Sequence, residues 1–210
     1  MGSEKKSRVI TDEDKRLTAY HEAGHAVAAK LLDKTASIHK VSIVPRGRAG
    51  GFTMYTTDED KMYMSRNEML NRMVVMLAGR VAEALTMDDI STGASNDIER
   101  ATAMARKMVA KYGMSEVIGP VSYDEGGEVF IGRDFGHAKN YSEKVAADID
   151  EEVKKILSEQ YKSAIRLLKE HMSELEAVAK KLLEKETIDE NEFNECFKVA
   201  EGGENDGKDN

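Results

Sequence analysis

A single cysteine, Cys196, stands in 210 residues. That scarcity excludes an internal disulfide and any metal cage built from thiolates, and it suits a reducing compartment. Long apolar runs are missing too: none approaches the roughly 18–20 residues that a bilayer-spanning helix needs. The N-terminus lacks the apolar core of a signal peptide. Nor is positive charge in excess. The formal net charge of -8 argues against a broad basic face, and so against nucleic acid as a partner. What is present, 40% hydrophobic and 33% charged residues, is a soluble balance with enough apolar side chains to bury a core. Residues 1–10 read as an N-terminal linker or remnant, residues 11–200 as the folded domain, and residues 201–210 as a disordered tail of glycine and charge. The abrupt start, Glu4-Lys5-Lys6-Ser7-Arg8, suggests a piece of a longer polypeptide.

Helix signals dominate. Thr11 with Asp14 three residues on reads as a cap for a helix running to about Leu32. Ile38 to Val44 reads as a strand ended by Pro45-Arg46-Gly47, and Phe52 to Thr56, after Gly50-Gly51, as a second that pairs with it. Ser65 and Glu68 form a capping box before an apolar helix ending near Leu85, whose Met69, Met73 and Met76 recur at helical spacing as core. The loop Ser91-Thr92-Gly93-Ala94 leads into a helix from Asn96 to Lys111. Residues 113–140 are glycine-rich and expected to be partly mobile, with short strands at Val121–Tyr123 and Val129–Ile131. From Ser142 the pattern is helical, with Ser173 and Glu176 capping a second long helix and Thr187 and Glu190 a third, shorter one. The expected fold is mainly α, a helical domain with a small β-sheet beside one helix and a C-terminal helical bundle.

The stretch His21-Glu22-Ala23-Gly24-His25 carries chemistry. On a helix, positions i and i+4 point the same way one turn apart, so two imidazoles can grip one zinc ion. Zinc held by three protein ligands keeps a fourth position for water and lowers its pKa to about 7. Glu22, next round the helix, is placed to take the water's proton. Chance yields this pattern about once in a hundred such chains. Both imidazoles also lie in the stripe Leu17-His21-His25-Ala28-Leu32, where burial without a shared partner would leave polar atoms unsatisfied. Gly24 costs about 1 kcal/mol in a helix interior relative to alanine, so close approach by another element explains it.

Two histidines need a third protein donor, and a carboxylate is the natural choice. Glu83 and Asp97 are the leading residues. Glu83 can pair with Arg80 at i,i+3, or hold one histidine's other nitrogen from behind. Asp97 begins a helix on the face of Ala101, Met104 and Met108, so it should point inward, where an isolated carboxylate is expensive. Glu99 turns to the polar side with Arg106. His39 is read as structural, Cys196 as an apolar packing residue, and His137 and His171 receive no role.

Thr18-Ala19-Tyr20-His21-Glu22-Ala23-Gly24-His25-Ala26 resembles the active-site signature of the FtsH family of ATP-dependent zinc proteases. Val44-Pro45-Arg46-Gly47, Ala78-Gly79-Arg80-Val81-Ala82-Glu83, Ser91-Thr92-Gly93-Ala94-Ser95-Asn96-Asp97, Lys111-Tyr112-Gly113-Met114-Ser115 and Leu183-Glu184-Lys185-Glu186-Thr187 match in the same order, so the resemblance covers roughly residues 7 to 197. Members often carry a large aliphatic residue where this chain has Gly50, and a proline in the turn that here reads Thr57-Asp58-Glu59-Asp60. The resemblance implies a zinc metalloendopeptidase domain with zinc as cofactor, His21, His25 and Asp97 as ligands, and Glu22 as catalytic base. It implies a homo-oligomer, a hexamer in the full-length protein, acting on unfolded or membrane proteins. The full-length protein is expected at the cytoplasmic face of the bacterial inner membrane, held by an N-terminal anchor missing from this chain. No G-x-x-x-x-G-K phosphate loop is present, so this chain is not expected to hydrolyse ATP. Phe52 to Tyr55 is the expected edge against which an extended substrate lies. The rival readings are a non-catalytic assembly domain of the same fold and a metal-storage or sensing module.

Overall fold

The structure, a computed structural model, describes residues 11–33, 36–45, 50–57, 62–123 and 141–203. Helix α1 (Asp12–Leu32) starts at a reciprocal cap, in which the Thr11 hydroxyl accepts from the Asp14 N–H and the Asp14 carboxylate accepts from the Thr11 N–H. Helix α2 (Arg66–Thr86) starts the same way at Ser65 and Glu68. After a 3₁₀ turn at Thr92–Ala94 come α3 (Ser95–Ala110), α4 (Glu143–Glu170), α5 (Met172–Lys185) and α6 (Glu190–Gly203). The domain is mainly α-helical, as its periodicities indicate.

Strands β1 (Ala36–Ser42) and β2 (Phe52–Thr57) pair antiparallel with a bulge between Ile38 and Lys40. A third strand, β3 (Thr187–Asp189), pairs with the other side of β1. The order is β2-β1-β3, which leaves β2 at an edge. The sheet therefore holds one strand more than expected. Thr187 does not cap a helix with Glu190; it enters the sheet, and the cap lies two residues later, where Asp189 and Glu192 exchange hydrogen bonds. Three residues are too short to show a period of two, so the strand was invisible without its partner.

Other elements differ from their local signals. Helix α5 begins at Met172, so Ser173 lies inside it and its hydroxyl bonds the Glu174 carboxylate. Val121–Tyr123 forms no strand; its Tyr123 N–H instead reaches the Ala110 carbonyl at 2.7 Å. Val129–Ile131, His137 and much of the glycine-rich segment lie outside the described residues, as do Arg46 and Gly47. Helix α6 runs to Gly203, three residues beyond the end expected for the folded domain.

Two cores share α2. On one side Val74, Val75, Ala78, Val81 and Ala82 pack with the alanine-rich face of α1, in a cluster that α1 continues to Ile38 and Val41 of β1 and to α5, with α6 behind. On the other side Met69, Met73 and Leu77 pack with Ala101, Ala105 and Met108 of α3 and Ile149, Val153 and Ile156 of α4. The methionine stripe is core. Met73 and Met108 are fully buried, each contributing about 1.5–3 kcal/mol by removal from water. Small residues bring α1 and α2 together: a Cβ on Gly24 would lie 2.6 Å from the Ala78 carbonyl oxygen, so only glycine fits.

Candidate metal centre

His21 and His25 lie one turn apart on α1, on the face turned to α2 and α3. Their Nε2 atoms are 3.0 Å apart. Asp97, in the first turn of α3, places Oδ2 3.4 Å from each. Among the described residues, this is the one group of three or more histidine, cysteine or acidic side chains close enough to share an ion. Two segments far apart in sequence, α1 and the start of α3, supply the three side chains.

The back of each imidazole is held. His21 Nδ1 donates to Glu83 Oε1 at 2.7 Å, and His25 Nδ1 donates to the Val75 carbonyl at 2.7 Å. Glu83 is fully buried, and its other oxygen accepts the Ser91 N–H at 2.8 Å. Both Glu83 oxygens are thus engaged away from the cluster, and Glu83 stands behind His21. Between the two carboxylates left open by residue reasoning, the geometry brings Asp97 to the imidazoles' inner nitrogens. Among the described residues Glu83 pairs with His21 and Ser91, not with Arg80.

Electrostatics follow from this crowding. Burial acts to lower the His21 pKa, yet hydrogen bonds to Asp97 and Glu83 and the nearby Glu22 and Glu83 charges raise it to about 9. For Asp97, burial opposes ionisation, but the His21 and His25 hydrogen bonds hold its carboxyl well below the usual range. Glu83 is also lowered against the effect of burial, by His21 and the Ser91 N–H. The cluster stabilises positive charge at its centre.

Glu22 is buried at 6% exposure and faces β2, where the Thr53 hydroxyl donates to its Oε2 at 2.7 Å. Gly51 abuts its other side: a Cβ there would lie 2.9 Å from Glu22 Oε1 and 2.6 Å from the Ser42 carbonyl. Gly79 of α2 performs the same service for the imidazoles, since its Cβ would lie 2.6 Å from His25 Nε2 and 2.8 Å from His21 Nε2. Thr53, Gly51, Gly79 and the Val75 carbonyl carry no expected role beside the histidines or Glu22 in the sequence. A glycine inside an apolar helix was the available signal for Gly79, because it costs about 1 kcal/mol there without a packing reason.

The other two described histidines, His39 and His171, lie elsewhere. His39 Nε2 meets Thr56 Oγ1 at 2.6 Å across the β1–β2 pair, and His171 Nδ1 meets Glu174 Oε1 at 2.9 Å at the α4–α5 junction. Cys196 is buried against the first core, with its Sγ toward the Glu192 carbonyl.

Residues 8–196 match peptidase family M41. The chain belongs to that family. Over 197 residues this M41 chain is 57% identical to ATP-dependent zinc metalloprotease FtsH 1 of Thermoanaerobacter sp. (strain X514), covering 93% of its own length and 32% of that protein. It is 53% identical over 194 residues to ATP-dependent zinc metalloprotease FtsH of Caldicellulosiruptor bescii, covering 92% and 32%. An FtsH 2 of Alkaliphilus metalliredigens is likewise 53% identical over 197 residues, covering 93% of this chain and 29% of that protein. The M41 chain spans about a third of the length of the curated relatives it matches. The blocks that resembled the FtsH family thus belong to one continuous match.

Proposed function

We propose that the chain is a zinc-dependent endopeptidase domain in which His21, His25 and Asp97 hold the metal and Glu22 is the general base. One observation carries the reading: three acceptor atoms, two imidazole Nε2 and one carboxylate oxygen, converge within 3.0–3.4 Å of one another. Both Nδ1 atoms face acceptors, so each neutral ring turns a bare lone pair inward. Lone pairs so close to each other and to a carboxylate repel unless they share a cation. A tetrahedral zinc with ligands at about 2.0–2.2 Å separates them by roughly 3.3–3.5 Å, and a two-nitrogen, one-oxygen set suits that ion. The donors present fit the metal.

Bound zinc would polarise the scissile carbonyl and lower the pKa of water. The chain's own residues supply the proton chemistry. As water adds to the carbonyl carbon, its proton passes to Glu22; as the C–N bond breaks, Glu22 delivers that proton to the departing amine nitrogen. Glu83 and the Val75 carbonyl keep both imidazoles in the tautomer that leaves Nε2 free. The edge position of β2 supports a substrate of extended or unfolded polypeptide, laid along the strand by backbone hydrogen bonds with little demand on sequence.

The relatives' names describe ATP-dependent zinc metalloproteases, which supports placing this domain as the proteolytic part of such a protease. In the whole protein we place it in a hexameric ring at the cytoplasmic face of the bacterial inner membrane, degrading unfolded and membrane proteins. No helix among the described residues is long and apolar enough to cross a membrane. Metal analysis of the purified chain, together with casein hydrolysis with and without a chelator, tests the core of this reading. Stoichiometric zinc and chelator-sensitive cleavage without ATP are expected. Zinc-free chain that cleaves casein, or zinc-loaded chain that does not, would refute it.

A further inference from the structure

Glu22 is bracketed by Gly51, just before β2, and by Thr53 within it. Gly51 leaves room on the Oε1 side, because any Cβ there would enter the space of Glu22 Cγ at 2.8 Å. Thr53 holds the other side, its hydroxyl 2.7 Å from Oε2 and 3.2 Å from the Glu22 backbone oxygen. A β-branched side chain in a strand has little freedom at χ1, and the Thr53 backbone is paired with Val41 of β1. The hydroxyl is therefore a stiff donor, anchored in the sheet and aimed at a carboxylate on a helix.

We propose that Thr53 is a positioning residue for the reaction: its hydroxyl holds Glu22 Oε2 and so fixes the orientation of the carboxylate that takes the proton. This rests on reading Glu22 as the general base. It also ties two parts of the site together. The strand offered to an extended substrate is the strand that aims the base, so seating a polypeptide on β2 steadies Thr53 and Glu22 at the same moment. A donor that only satisfied a buried carboxylate would serve stability and leave turnover alone.

The test uses the zinc-loaded chain and an internally quenched, unstructured peptide. Thr53→Val keeps the shape of the side chain and removes the hydroxyl; Thr53→Ser keeps the hydroxyl. The expected result is a 10–100-fold fall in kcat for Thr53→Val with KM and zinc content near wild type, the scale on which misplacing a reacting group acts. Thr53→Ser should stay within about 3-fold of wild type, since the charge-assisted hydrogen bond persists. A second readout needs no activity. In the chelated chain, the melting-temperature loss from Thr53→Val should shrink when Glu22 is already alanine, because contacting partners are not additive. Glu22→Gln serves as the control on the underlying reading. If Glu22→Gln cleaves the peptide normally, the base assignment fails. If Glu22→Gln is inactive but Thr53→Val leaves kcat unchanged, changes only KM, or matches Thr53→Ser, the positioning role is overturned and the base assignment stands. Additive melting losses would overturn it as well.

Discussion

Gly79 lies directly against His25: a single added carbon at its Cβ position would sit 2.6 Å from His25 Nε2. The same carbon would be 2.8 Å from His21 Nε2, so the backbone of α2 forms one wall of the place where the donors converge. Gly79→Ala is expected to cost at least 10-fold in zinc affinity while the helix survives, since alanine is the better helix former. Zinc titration against a competing chelator, with circular dichroism for helix content, checks both. Wild-type zinc affinity in this variant would mean that α2 yields more easily than its packing on α1 allows.

Asp97 and Glu83 should separate cleanly. Asp97→Ala removes a proposed ligand and is expected to lose most zinc and all activity. Glu83→Gln leaves the ligands in place and weakens the hold on His21, so a 10–100-fold loss of metal affinity with some bound metal remaining is expected. Metal content by mass spectrometry decides. Full occupancy in Asp97→Ala, with metal absent from Glu83→Gln, would reverse the two roles.

Glu22→Gln removes the proton acceptor and keeps the side chain's size against Gly51 and Thr53. Zinc content and melting temperature should stay near wild type while casein hydrolysis falls by roughly 10²–10⁴-fold. A near wild-type rate would show that another group takes the proton.

Chelation should leave a chain whose stability depends on pH in a defined direction. His21 is raised from 6.5 to about 9, so its contribution is fully present below about pH 6.5 and is lost as pH climbs through about 9. Asp97 and Glu83 are lowered from 3.8 and 4.5, so theirs is present above those values and lost as pH falls towards the lowered ones. The melting temperature of the metal-free chain should be highest between about pH 5 and 6.5 and fall on both sides. Added zinc replaces the proton that His21 otherwise holds, so zinc affinity should rise with pH between about 6.5 and 9. A melting temperature that keeps rising from pH 7 to 9 without metal would contradict the His21 environment.

Local sequence determined much of this protein. Thr11 with Asp14 and Ser65 with Glu68 start α1 and α2, because a capping box is closed within four residues and needs nothing distant. His21 and His25 share a face because they share a helix, and helix geometry is set by the backbone alone. Gly24 announced a close approach, since its cost in a helix needs a reason. Where a feature depends on a distant partner, sequence fell silent or misled. Thr187–Asp189 forms a strand only because β1 offers it an edge, and Thr53 meets Glu22 only because β2 crosses α1. Asp97 and Glu83 are both carboxylates on helices; the inward face of its helix and the family resemblance already favoured Asp97, but neither carries the distances. Packing of α2 and α3 against α1 put one at the inner nitrogens and the other behind His21, engaged by His21 and the Ser91 N–H. Hydrogen bonds and ion contacts act over about 3 Å, and which groups come that close across sixty residues of chain is decided by how the helices pack.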